Sequence, residues 1–105
     1  MEKGAYLILT SVESEADALR LAKGVVEQRL AACVQISASG RSIYQWQGKL
    51  QSENEYCLSI KTTEEVSASV VAWLEQNHPY ETPEILGLNA ASSRDYLEWM
   101  RATTS

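Results

Sequence analysis

Seven consecutive residues, His78-Pro79-Tyr80-Glu81-Thr82-Pro83-Glu84, hold the densest chemistry in this chain. They include its single histidine and both of its prolines, with a tyrosine and the carboxylates of Glu81 and Glu84. Two prolines fix an irregular backbone, so the polar side chains between them project at little further entropic cost. His78 with Glu81 or Glu84 has the residue types of an acid/base pair. Its imidazole is also a donor for a metal ion such as copper. A structural role stands beside these, in which His78 satisfies the end of a preceding helix and the prolines lock a connection. Elsewhere, Cys33 and Cys57 form neither a Cys-x-x-Cys motif nor a disulfide framework. Lys61 lies on a polar strand face, where it would meet an anionic small molecule or simply water. No nucleophile motif, glycine-rich phosphate loop or metal-ligand signature is present.

The elements that must position these residues begin with Ala32–Lys61. Its even positions are mostly apolar (Val34, Ile36, Tyr44, Trp46, Leu50, Tyr56, Leu58, Ile60) and its odd positions mostly polar. A period of two predicts strands with one buried face. Gln47-Gly48 divides the run into a hairpin. A two-residue turn there would pair Trp46 with Lys49 and Tyr44 with Gln51, mixing the faces. Pairing Trp46 with Leu50 and Ile36 with Ile60 keeps them apart, and requires one extra residue at the turn or near Gly40. In that register Cys57 lies opposite the Ser39 region, about six residues or 20 Å along the arm from Cys33. An arm of about 14 residues spans about 46 Å, against a diameter of roughly 33 Å for a compact chain of this length. The tip, with Tyr44, Trp46 and Leu50, should therefore overhang its own core and act as an oligomerisation arm. The alternative is two shorter strands split by a Ser39-Gly40 loop.

Around the hairpin, Ala5–Thr10 reads as a central strand. Ser14 reads as the N-cap of a helix over Glu15–Arg29, with Leu19, Ala22, Val26 and Leu30 along its apolar face and Gly24 permitting close packing on the sheet. Thr62 or Thr63 caps a second helix carrying Val66, Val70, Leu74 and Asn77 on one face with Trp73 beside them, and Pro79 stops it by His78. Ile85, Leu86 and Leu88 form a last strand. Ser92 or Ser93 caps a short helix with Tyr96, Leu97, Trp99 and Met100. The order is βαββαβ plus a terminal helix: an α+β, ferredoxin-like single domain over residues 1–105. Helices on one face leave the other sheet face for the terminal helix or neighbouring subunits.

Composition narrows the function. With 105 residues, 45% hydrophobic content and a net charge of −5, the chain has enough apolar content for one core and the wrong sign for nucleic-acid backbone or anionic membrane. Phenylalanine is absent, as is the aromatic sheet motif that stacks RNA bases. No window approaches a membrane span and no signal-peptide pattern opens the sequence, so a cytoplasmic protein is expected.

Taken together, Arg29-Leu30-Ala31-Ala32-Cys33-Val34, Ser42–Lys49, Ile60-Lys61-Thr62, His78–Glu84 and Tyr96-Leu97-Glu98-Trp99 resemble the CutA family, in order and spacing over nearly the whole chain. That family is associated with tolerance to divalent cations, copper in particular. The resemblance implies a homotrimer joined by the hairpin arms, through Tyr44, Trp46 and Leu50, and the extra apolar area that three such arms bury predicts resistance to heat. It also implies inter-subunit clefts lined by Cys33, Lys61, His78, Tyr80, Glu81 and Glu84. Departures occur at Gln35, usually asparagine, at Asn89, usually proline, and at Ser92-Ser93. Members credited with copper binding carry a cysteine on the first strand and a His-His pair before Pro-Tyr, where this chain has Leu9 and Asn77-His78. His78 alone predicts weak copper or other divalent-cation binding, with no required cofactor. A binding trimer is the first expectation, and a small-molecule enzyme using His78 with Glu81 or Glu84 the second.

Overall fold

A continuous apolar run, Ala5–Leu9, builds β1 (Glu2–Val12), which pairs antiparallel with two neighbours at once. The computed structural model describes residues 1–105, the side chain of Ser39 excepted. After β1 come α1 (Glu15–Glu27), β2 (Cys33–Trp46), β3 (Lys49–Thr63), α2 (Glu64–Asn77), β4 (Leu86–Ser92) and α3 (Arg94–Thr103). The sheet order is β2-β3-β1-β4, all neighbours antiparallel, which is the ferredoxin-like α+β arrangement expected from the element order. α1 and α2 bury one sheet face: Ile8, Val12, Leu58 and Ile60 meet Ala18, Leu21, Val25, Val70 and Leu74. α3 covers a corner of the other face, where Leu97 and Met100 close over Ala5. The rest of that face keeps Leu86 and Leu88 exposed on β4, in register with half-buried Leu9 and Leu7.

Ser14 caps α1 as predicted, its hydroxyl accepting from the Asp17 amide at 3.1 Å. The helix ends earlier than Arg29, which itself turns into the left-handed region at φ 61°. Its buried stripe is Ala18, Leu21, Ala22 and Val25, so the expected Leu19/Val26 face is rotated outward: those two are 41% and 40% exposed. Alanines at the contact bring the helix axis nearer the sheet, which the larger side chains would prevent. Gly24 does admit a close approach, but by Trp73 of α2 and not by the sheet.

The hairpin register also differs from expectation. Trp46 pairs with Lys49 and Tyr44 with Gln51 around a two-residue turn in which Gln47 and Gly48 have φ 52° and 78°. Both residues left-handed is the primed turn whose twist suits a hairpin. The extra residue is absorbed between Ser37 and Gly40, so Ile36 faces Leu58 and Val34 faces Ile60. β2 is continuous through this shift, which removes the alternative of two strands split by a loop. Cys57 thus pairs with Ser37 and Cys33 with Lys61, about four residues or 13 Å apart along the arm, closer than expected. β1 leaves β3 at the Val12–Tyr56 pair. Beyond it, Gly40–Trp46 and Lys49–Glu55 pair only with each other, a two-stranded ribbon about 23 Å long. It sets the long axis of a chain measuring 45 × 25 × 23 Å.

Candidate functional site

Where β1 ends and the ribbon begins, three segments wall a cleft of about 660 Å³. Ser11 comes from the end of β1 and Glu13 from just after it, Ser42, Ile43, Tyr44, Trp46, Glu53 and Glu55 from the hairpin, and Tyr80, Glu81, Thr82 and Glu84 from the α2–β4 connection. The bulge before Gly40 directs Tyr44 and Trp46 to the same ribbon face as Glu53 and Glu55. Leu50 falls on the other face with Ile43 and with Arg41, whose guanidinium donates to Ser52 and Asn54 at 2.7 and 2.9 Å. Among the described residues five carboxylates line the cleft, and no lysine, arginine or histidine does. Glu55 is the most enclosed, at 5% exposure, and its Oε2 accepts the Tyr80 hydroxyl at 3.2 Å. Removal from water pushes the Glu55 carboxyl above its ordinary value, reinforced by the charges of Glu13, Glu53 and Glu84 and opposed by the Tyr80 hydrogen bond. The Tyr80 hydroxyl is driven up strongly by burial and then by the neighbouring Glu55 charge. Sequence parity marked Glu55 only as a polar strand position. Its burial depends on a loop from a distant part of the chain, for which periodicity carries no signal.

His78 stands behind this cleft, and its ring is fully engaged. Nδ1 accepts the Tyr80 amide at 3.1 Å, so the ring proton sits on Nε2, which lies 3.0 Å from both the Ser11 carbonyl and Thr10 Oγ1. The ring stacks obliquely on Tyr80 with centroids 4.9 Å apart. Its amide also donates to the Leu74 carbonyl, closing α2. Burial pushes the imidazole pKa down, so the neutral form prevails at neutral pH. Neither nitrogen is hydrogen-bonded to Glu81 or Glu84. What His78 does in this geometry is fix β1 to the connection and aim Tyr80 at Glu55.

Within one chain the six expected cleft residues fall into two groups. Tyr80, Glu81 and Glu84 line the acidic cleft, with His78 supporting them. Cys33 and Lys61 pair with each other toward the opposite end of β3. Lys61 lines a small second hollow of about 210 Å³ with Tyr6, Tyr96 and Met100. The tip residues Tyr44, Trp46 and Leu50 are 42%, 52% and 71% exposed. Among the described residues no three His, Cys, Asp or Glu side chains are placed to share a metal ion. With the Nδ1 lone pair of His78 already accepting an amide, the residues of a single chain do not fit a resident metal centre.

The fold and these sequence features have close counterparts among known proteins. The chain matches the family described as CutA1 divalent ion tolerance protein over residues 6–103. It is 40% identical over 100 residues to the divalent-cation tolerance protein CutA of Pectobacterium atrosepticum, covering 94% of this chain and 91% of that one. It is similar in structure to CutA from Synechococcus elongatus, with a TM-score of 0.92, 42% identity and coverage of 97% and 91%. The structure described as the periplasmic divalent cation tolerance protein CutA from Archaeoglobus fulgidus superposes with a TM-score of 0.91 at 30% identity, over 96% of this chain and 99% of that one. Among the described residues no helix is long and apolar enough to cross a membrane. By the extent of the family match and by identity over nearly its whole length, the chain belongs to the CutA1 divalent ion tolerance family.

Proposed function

We propose that the protein is a cytoplasmic homotrimer that serves divalent-cation tolerance, copper included, by binding and regulation and without a catalytic step. One observation carries this: the ribbon beyond Tyr56 has no third strand, yet it holds Ile43, Trp46 and Leu50 at 67%, 52% and 71% exposure. An isolated two-stranded ribbon is marginal in water, and an apolar tip of this kind is stable only against another chain. The leucines of β1 and β4 on the face opposite α1 and α2 extend the surface available to neighbours.

A ring of identical chains joins one surface to a different one at each boundary. The Cys33–Lys61 end of one subunit then meets the Tyr80–Glu84 end of the next, and the six expected residues form a shared cleft. His78 acts there as a support, so copper binds weakly, with no required cofactor. Both cysteines are free, which suits a reducing compartment. The enzyme alternative loses its acid/base pair, since both His78 nitrogens are engaged elsewhere. Sedimentation equilibrium tests the assembly: a species of about three times the 11.7 kDa chain is expected, and a stable monomer at all concentrations overturns it.

A further inference from the structure

We propose that the Lys61 ammonium of one subunit enters the acidic cleft of the next and pairs with the Glu55 carboxylate, so that the site is complete only between two chains. This rests on the assembly proposed above and adds which charges close its boundaries. Glu55 lines the cleft at 5% exposure, and among the described residues the Tyr80 hydroxyl is the one donor to its side chain. The other four cleft carboxylates are exposed or half-buried, so water can solvate them. An anion as enclosed as Glu55 is stable only with a cation beside it. Its own chain supplies none: the ion pairs among the described residues are Arg20–Asp17, Arg94–Glu2 and Arg101–Glu65.

The sheet points to Lys61 as the missing partner. Glu55 and Lys61 are both odd positions of β3, so they project from the same face, six residues or about 20 Å apart. That separation is beyond the reach of a lysine side chain, and one chain cannot join them. Three cross-strand rows occupy this face: Leu88–Leu7–Lys61–Cys33, then Leu86–Leu9–Ser59–Gln35, then Ser11–Cys57–Ser37. Glu55 follows, opposite Gly40. An ammonium thus marks one end of the face and a carboxylate the other, with leucines beside Lys61 that remain exposed on β4. Head-to-tail contact between copies brings unlike ends together and covers those leucines. Arg41 is held on the other ribbon face by Ser52 and Asn54. Lys49 shares the cleft face of the ribbon but pairs with Trp46 at the exposed tip, which makes it the control.

The experiment mixes two charge-reversed chains, one of them labelled with nitrogen-15, and reads the assemblies by native mass spectrometry. Alone, Glu55→Lys or Lys61→Glu sets like charges at every boundary of the ring, and each should be mostly monomeric where wild type is trimeric. In a mixed ring all but one boundary regains opposite charges, so mixing should recover trimers that contain both chains. The double variant Glu55→Lys/Lys61→Glu should recover them fully. A neutral pair covers a reversal that fails to fold: Glu55→Gln and Lys61→Met should each weaken the trimer by about tenfold or more, and together by no more than the worse of the two. A trimeric wild type with no mixed trimers, with additive neutral variants, or with Glu55→Lys rescued by Lys49→Glu in place of Lys61→Glu would overturn the pairing and leave the assembly standing. A wild type that is monomeric throughout would overturn the assembly, and the pairing with it.

Discussion

Gly24→Ala sets two effects of similar size against each other, and the structure decides between them. A glycine inside a helix costs about 1 kcal/mol relative to alanine, so on α1 alone the change is stabilising. A Cβ at this position, however, would lie 2.6 Å from Cζ2 and 2.8 Å from Cη2 of Trp73. Carbon atoms rest at about 3.5–4.0 Å, so the indole must retreat by about 1 Å. Overpacking of this kind costs about 1–3 kcal/mol. The difference predicts a net loss of about 0–2 kcal/mol, toward the small end because Trp73 is only half-buried and can slide outward. In a Trp73→Leu background the clash is gone, and the same substitution should gain about 1 kcal/mol. Urea unfolding of the four proteins at one fixed concentration completes the cycle and should give a coupling of about 1–3 kcal/mol. If Gly24→Ala stabilises wild type as much as the Trp73→Leu variant, the close helix–helix approach is not what requires glycine.

Other outcomes follow from the same geometry. His78→Ala strands the Tyr80 amide, the Ser11 carbonyl and Thr10 Oγ1, and should cost about 1–3 kcal/mol in denaturant unfolding; no loss would contradict the ring's role as a support. Burial holds the His78 pKa below its ordinary 6.5, so the unfolded chain protonates first. Its stabilising contribution is then full above pH 6.5 and falls as pH drops from there toward the folded value, a slope His78→Gln should lack in melts taken across that range. Isothermal titration should find copper(II) bound no tighter than about micromolar, and a sub-micromolar site lost in His78→Ala would refute that. The melting temperature should be high for a domain of this size and rise with protein concentration where unfolding is reversible; a modest, concentration-independent value would count against an assembled native state.

Much of the fold was legible because its signals are local. Parity placed Leu58 and Ile60 in the core, Ser14 capped α1, and Pro79 confined α2 to the residues before His78. The α1 face was not, because Ala18, Leu19, Leu21, Ala22, Val25 and Val26 form an apolar arc too wide to orient by spacing. Only the closeness of the sheet selects the stripe with alanines. The hairpin tip was misread because parity assumes one core along both arms. Beyond Tyr56 there is none, so mixing the faces has no penalty within the chain and the turn adopts its own preferred geometry. At the site, the prolines and their polar neighbours advertised the right loop. The partners that decide its chemistry, Thr10 and Ser11 behind His78 and Glu55 before Tyr80, come from strands far away in sequence.

Trp46→Asp bears most directly on the claim that the hairpin is an assembly arm. Trp46 is 52% exposed in the isolated chain, and burying the remainder at a boundary should supply about 1.5–3 kcal/mol per subunit. An aspartate there replaces that gain with a desolvated charge at each boundary of the ring. Sedimentation of the variant, with far-UV dichroism to verify that the sheet is formed, is predicted to show monomer or disordered aggregate where wild type is trimeric. A variant that remains fully trimeric and as stable as wild type would contradict the account.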